Sequence, residues 1–182
     1  VAEPGGKGNN TLESATVLAV ALSPAAALTA TGVTYTGTPV VGQPVTVFWT
    51  VTNAGQAAAV PPSGGWVDRI YLTTDGTLAT ATLLASAAHV NAVAAGDGYT
   101  GSLQVTLPSL ADGTYKLLVF VDANGSVFTR AAATARQATS VGLGLTHPDL
   151  VTTQVTLPPG KFSSGQTLTL TWTGQNAGTA AV

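Results

Sequence analysis

Apolar and polar residues alternate with a period of two along most of this chain. Val45, Val47, Trp49 and Val51 occupy one side of a stretch whose other side is Thr46, Phe48, Thr50 and Thr52. That is the pattern of a strand with one buried face, and it assigns Trp49 to the core. Trp66–Leu72 reads as a second strand, ended by an Asp75-Gly76 turn. Tyr99, Gly101, Leu103, Val105 and Leu107 alternate against Thr100, Ser102, Gln104 and Thr106 in a third. Tyr115–Val121 is an almost unbroken apolar run, as expected of a central strand covered on both faces. Gly64-Gly65, Gly96-Asp97-Gly98, Asp112-Gly113 and Asn124-Gly125 punctuate these runs as turns. The Ala-rich segment 78–95 reads as a strand at Thr82–Ala85, with a short helix as the alternative. About seven short strands at this spacing predict an all-β, immunoglobulin-like β-sandwich. Leu110-Ala111-Asp112-Gly113-Thr114-Tyr115 fits the tyrosine corner of such sandwiches, with Leu110, Asp112, Gly113 and Tyr115 in structural roles.

The pattern also repeats. Displaced by 123 positions, Gly42-Gln43 meets Gly165-Gln166, Trp49-Thr50 meets Trp172-Thr173, and Asn53-Ala54-Gly55 meets Asn176-Ala177-Gly178. Positions 42–58 hold 10 identities in 17 without a gap. A period of this length marks an array of similar units. Residues 24–146 make one complete unit. Residues 1–23 read as the C-terminal strand of a preceding repeat, carried by Ser14–Val20, and 147–182 as the N-terminal strands of a following one. By the same correspondence Trp172 is expected in a core, like Trp49.

The order G-Q-x-V-x-V-x-W-T-V-T-N-x-G at 42–55, then W-x-D-x-I-Y-L-T-x-D-G at 66–76, L-P at 107–108, G-x-Y at 113–115 and V-D-A-N at 121–124 resembles the CARDB domain (cell-adhesion-related domain found in bacteria). The resemblance covers Leu28–Val127 well and 148–182 in part; at the start it rests on Glu3 and Asn9-Asn10. It implies an immunoglobulin-like fold that occurs as tandem repeats in large secreted or surface proteins. Two departures stand out. The usual opening Asp-Leu is Ala27-Leu28 in the full unit, although Asp149-Leu150 keeps it, and Thr129–Ala133 replaces the acidic, Asn-rich tail.

Composition narrows the function. Hydrophobic residues make up 45% of the 182, yet only 8% are charged, and Ser14–Val67 contains no Asp, Glu, Lys or Arg. Six basic residues against eight acidic ones leave no basic patch for a phosphate backbone, so no nucleic-acid partner is expected. Without Cys there is no disulfide or thiol chemistry. The windows 15–30 and 77–95 are interrupted by Ser23-Pro24 and by His89 and Asn91, so no membrane insertion is expected. The absence of an initiator Met and of a signal pattern implies a processed or excerpted piece of something longer.

Candidate chemistry is sparse. His89 and His147 are the only imidazoles and sit in no catalytic motif; the carboxylates are scattered, three of them in Asp-Gly turns at 75, 97 and 112. No enzyme, cofactor or resident metal is expected. Asp68, Asp75, Asp122 and Asn124 would hold calcium only if their loops shared one end. Asn9-Asn10-Thr11 and Asn124-Gly125-Ser126 match the N-glycosylation pattern. Trp66, following Pro61-Pro62-Ser63-Gly64-Gly65, is the candidate exposed binding aromatic. The expectation is a non-enzymatic structural or adhesive module, extracellular or at the cell surface. Its partners would be other copies or neighbouring repeats, forming a filament or stalk through stacked units and strand edges. The alternative is a carbohydrate-binding accessory module that docks surface glycans through Trp66.

Overall fold

The computed structural model describes residues 21–182, so Ser14–Val20, Glu3 and the 9–11 sequon lie outside the described residues. Eight strands build the first unit: β1 Leu28–Thr36, β2 Pro44–Asn53, β3 Trp66–Thr73, β4 Thr82–His89, β5 Gly98–Thr106, β6 Gly113–Phe120, β7 Gln137–Thr139 and β8 Leu143–Leu145. A further pair follows, β9 Leu150–Thr156 and β10 Thr171–Asn176. One sheet has the order β1-β2-β5, and the other runs β4-β3-β6-β7 with β8 also on β6. All these pairings are antiparallel. The fold is an all-β, immunoglobulin-like sandwich.

Period-two alternation fills the space between the sheets. From β2 come Val45, Val47, Trp49 and Val51, and from β3 Trp66, Ile70 and Leu72, all buried. Leu28, Val105, Leu107, Val119, Leu143 and Leu145 complete the same core. Each such aliphatic contributes about 1.5–3 kcal/mol by leaving water. The apolar run in β6 reflects its central place between β3 and β7, where Leu117, Leu118 and Val119 are all buried. Between β3 and β4 the segment 78–80 is a single 3-10 turn, and Thr82–His89 is strand throughout.

Candidate functional site

Among the described residues, polar side chains gather at three places that bear on function. The first lies inside the sandwich. β3 alternates so that Asp68 points inward with Trp66, Ile70 and Leu72, and its carboxylate is buried. Trp49 Nε1 donates to Asp68 Oδ2 at 3.1 Å, the Tyr99 hydroxyl donates to the same oxygen at 2.6 Å, and the Asp122 backbone N–H reaches Oδ1 at 3.1 Å. Three donors thus satisfy acceptor oxygens that would otherwise be buried without partners. Burial, reinforced by Asp68, pushes the Tyr99 phenol well above its ordinary value of 10.0. Gly101 makes room for this arrangement, because a Cβ there would overlap the Trp49 ring.

Trp66 belongs to the same cluster, which corrects the expectation that it is exposed. It is fully buried. Its indole stacks on His89 at 4.4 Å between ring centroids, and Nε1 donates to the Tyr99 hydroxyl at 3.3 Å. β3 lies between β4 and β6, so its first residue is paired with His89 and roofed over. His89 also stacks on Tyr99 at 3.8 Å, and burial holds its imidazole below the ordinary 6.5.

The second place is the turn after β6. Asp122 adopts φ 45°, and its buried carboxylate accepts the Ser126 N–H at 2.8 Å and pairs with Arg136 Nη1 at 3.1 Å. Arg136 also donates to the Asp122 carbonyl and lies 5.1 Å above the Phe120 ring. Burial raises the Asp122 carboxyl, against the pull of these partners. Asn124 Oδ1 accepts the Val67 N–H at 3.2 Å. Asp68, Asp122 and Asn124 therefore do gather at the start of β3. Asp75 does not, because it lies past the far end of that strand, about 20 Å away at ~3.3 Å per residue. There it accepts the hydroxyls of Thr73, Thr77 and Thr80 and the Thr77 N–H. These bonds, Thr80's first, hold it well below the ordinary carboxylate value. Among the described residues no three His, Asp or Glu side chains cluster as metal ligands.

The third place is the joint between the unit and the β9–β10 pair. In the first unit Asn53 closes the sheet end: its Oδ1 accepts Ala27 N–H at 2.9 Å and Gly55 N–H at 3.1 Å, and its Nδ2 donates to Ala57 O at 2.8 Å. Asn176 repeats these three bonds, with Asp149 N–H at 2.9 Å, Gly178 N–H at 3.0 Å and Ala180 O at 2.6 Å, but lacks the further bonds of Asn53 Nδ2 to Val93 O and Ala94 O. The pairing at the strand ends repeats too, since Leu28 faces Asn53 and Leu150 faces Asn176, before bulges placed differently in the two pairs shift the register. Gly55 and Gly178 are needed alike, for a Cβ on either would run into the backbone at 25–27 or 147–149. The sequence period is therefore a period of hydrogen bonds.

One expectation fails here. Trp172 occupies the place of Trp49, yet it is 70% exposed where Trp49 is 2%. Residues 147–182 build one strand pair only, and β3, β5 and β6, which cover Trp49, have no counterpart over Trp172. Leu150 of β9 is also exposed, as are Leu168 and Leu170 in the segment that leads into β10. The corner residues lie beside the joint: the Tyr115 hydroxyl donates to Ala111 O at 3.0 Å, Gly113 starts β6, and Leu110 is partly exposed.

No family model matches the sequence, and no curated protein matches it. Among solved structures, a crystal structure of the CARDB domain of a Pyrococcus furiosus protein, in complex with di-metal ions, shares 15% identity over 66% of this chain and 89% of that one, with a TM-score of 0.47. This chain is similar to CARDB domains. A solution NMR structure of the Pyrococcus domain gives 18% identity, 68% and 97% coverage, and a TM-score of 0.48. β-Glucosidase 3B from Thermotoga neapolitana is similar over 65% of this chain but only 16% of its own, at 14% identity and a TM-score of 0.41.

Proposed function

We propose that this chain is a non-enzymatic structural and adhesive repeat module of an extracellular or surface protein. Residues 24–146 are one complete unit, and 147–182 open the next. Units follow one another without a spacer and stack into a filament or stalk. The observation that supports this reading is the recurrence at Asn176 of three of the Asn53 bonds, with the same pairing at the strand ends. A hydrogen-bond scheme that recurs in the next strand pair suits an array in which each unit contacts its neighbours.

Association with other copies, through strand edges and uncovered sheet faces, is the second part of this reading. Leu150 and Trp172 of the β9–β10 pair, and Leu170 just before β10, are exposed in these 182 residues, whereas their counterparts Leu28, Trp49 and Val47 are covered by the later strands of the first unit. Such a face is satisfied by a facing sheet, and a chain with 8% charged residues has little repulsion to keep copies apart. The carbohydrate alternative rested on Trp66, whose indole is enclosed by His89 and Tyr99. Intact mass of native material tests the array: it should lie far above 18.0 kDa, and a native species of that mass overturns it. Sedimentation of the 182-residue chain should show concentration-dependent association that Trp172→Lys weakens; a monomer at every concentration removes the self-association.

A further inference from the structure

The two strand systems meet without slack. Thr146 still belongs to the first unit, donating its N–H to Pro39 O at 3.1 Å and accepting Val41 N–H at 2.9 Å. His147, the next residue, already serves the second, its carbonyl accepting Thr179 N–H at 2.9 Å and Ala180 N–H at 3.1 Å. Over this step projects the tyrosine-corner turn. The corner's own bond uses Tyr115 and Ala111, which leaves the Asp112 carboxylate free for other partners. Both its oxygens are taken from across the joint: His147 Nδ1 lies 2.5 Å from Oδ1, and the Thr179 hydroxyl donates to Oδ2. Beneath them a cavity of about 480 Å³ is bounded by Val41, Leu110 and Ala111 on one side and by His147 and Pro148 on the other.

We propose that Asp112, His147 and Thr179 form a clasp by which the corner of one unit recognises and orients the opening strand pair of the next. The proposal rests on the repeat reading above and adds the residues that make the joint. The partner surface is a second copy of this unit that presents an imidazole before its first strand and a hydroxyl just after its Asn-Ala-Gly turn. The first unit presents neither. Ala25 and Gln56 hold the corresponding places, as their matching backbone bonds establish, so a corner carboxylate facing them would meet neither an imidazole nor a hydroxyl. Joints along such an array are therefore of two kinds, clasped and unclasped, set by two side chains.

The charged groups facing His147 are Asp112 and Asp149; the charged group facing Asp112 is His147, with the neutral Thr179 hydroxyl as its other partner. Asp112 holds the His147 imidazole above its ordinary 6.5. Thr179 first and His147 second hold Asp112 below its ordinary 3.8. A raised histidine contributes fully below pH 6.5 and is lost as pH rises through its raised value. A lowered carboxylate contributes above pH 3.8 and is lost as pH falls through its lowered value. The clasp is tightest between those limits, where imidazolium meets carboxylate.

Nuclear magnetic resonance on the whole 182-residue chain tests this. The His147 ring should titrate above 6.5, separate from His89, which burial holds below it. At pH 5.5 the β9–β10 amides should tumble with those of β2 and β5. Asp112→Asn should return His147 to the ordinary range and release the strand pair from common tumbling, and Thr179→Val should do so in part. A His147 at its ordinary value in the unaltered chain, or a strand pair whose tumbling ignores Asp112→Asn, overturns the clasp. Failure of the repeat reading looks different: cross-strand contacts such as Val151 to Gln175 would be missing altogether.

Discussion

Asp68 shows how one polar residue organises an apolar interior. It collects Trp49, Tyr99 and the Asp122 backbone around a single carboxylate, tying β2 and β5 of one sheet to β3 and the β6 turn of the other. Removing it leaves three donors buried without an acceptor. Asp68→Ala should cost about 3–5 kcal/mol in urea unfolding, whereas Asp68→Asn, which keeps an acceptor, should cost about half as much. Its inward position was legible in the sequence, because Asp68 shares parity with Ile70 and Leu72. The same parity places Trp66 inside. The Pro-Gly-rich run before Trp66 suggested exposure instead, since a turn sequence reports backbone conformation and not what covers the next side chain. Arg136 gave no such signal: its partner Asp122 is 14 residues away, and nothing in local spacing reports their meeting.

Elements differ in how much of themselves a sequence declares. β2, β3, β5 and β6 stand out because their buried residues are large and keep strict period two or an unbroken apolar run. β1 is quieter. A bulge between Thr31 and Thr34 shifts its register, so Leu28 and Ala30 face the core in one parity and Val33 in the other. β4 is rich in Ala, whose small side chain suits helix and strand alike, and only its pairing with β3 decides. β7 and β8, three residues each, are too short for any period to register. The repeated strand pair separates an element's intrinsic pattern from its surroundings, since Trp49 and Trp172 hold equal places with unequal cover. Trp49→Ala should therefore destabilise the chain by about 3–5 kcal/mol. Trp172→Ala should leave the unfolding midpoint of the sandwich unchanged while reducing association between copies. Equal effects from the two substitutions would mean that β9–β10 shares the first core.

At the scale of the molecule, the way the unit's two ends touch has a mechanical consequence. Ala26 bridges Thr129, and Val40 bridges Thr146, both in parallel sense. Arg130 N–H to Ala26 O, Val41 N–H to Thr146 O and Thr146 N–H to Pro39 O hold these contacts at 2.9–3.1 Å. A unit pulled from residues 24 and 146 draws those two paths past each other lengthwise. Tension then falls on all the bridging bonds together, unlike the antiparallel β3–β4 pair, which peels one bond at a time when its ends are drawn apart. Forced unfolding measures the height of that barrier and not equilibrium stability. Stretching tandem units one molecule at a time should give discrete ruptures, each releasing roughly 400 Å of chain at ~3.4 Å per residue. Val41→Pro, which deletes one of the bridging donors, should lower the rupture force more than it lowers the urea midpoint. A stalk assembled this way would stay short under moderate tension and lengthen in steps, so that each unit limits the force carried to whatever it holds.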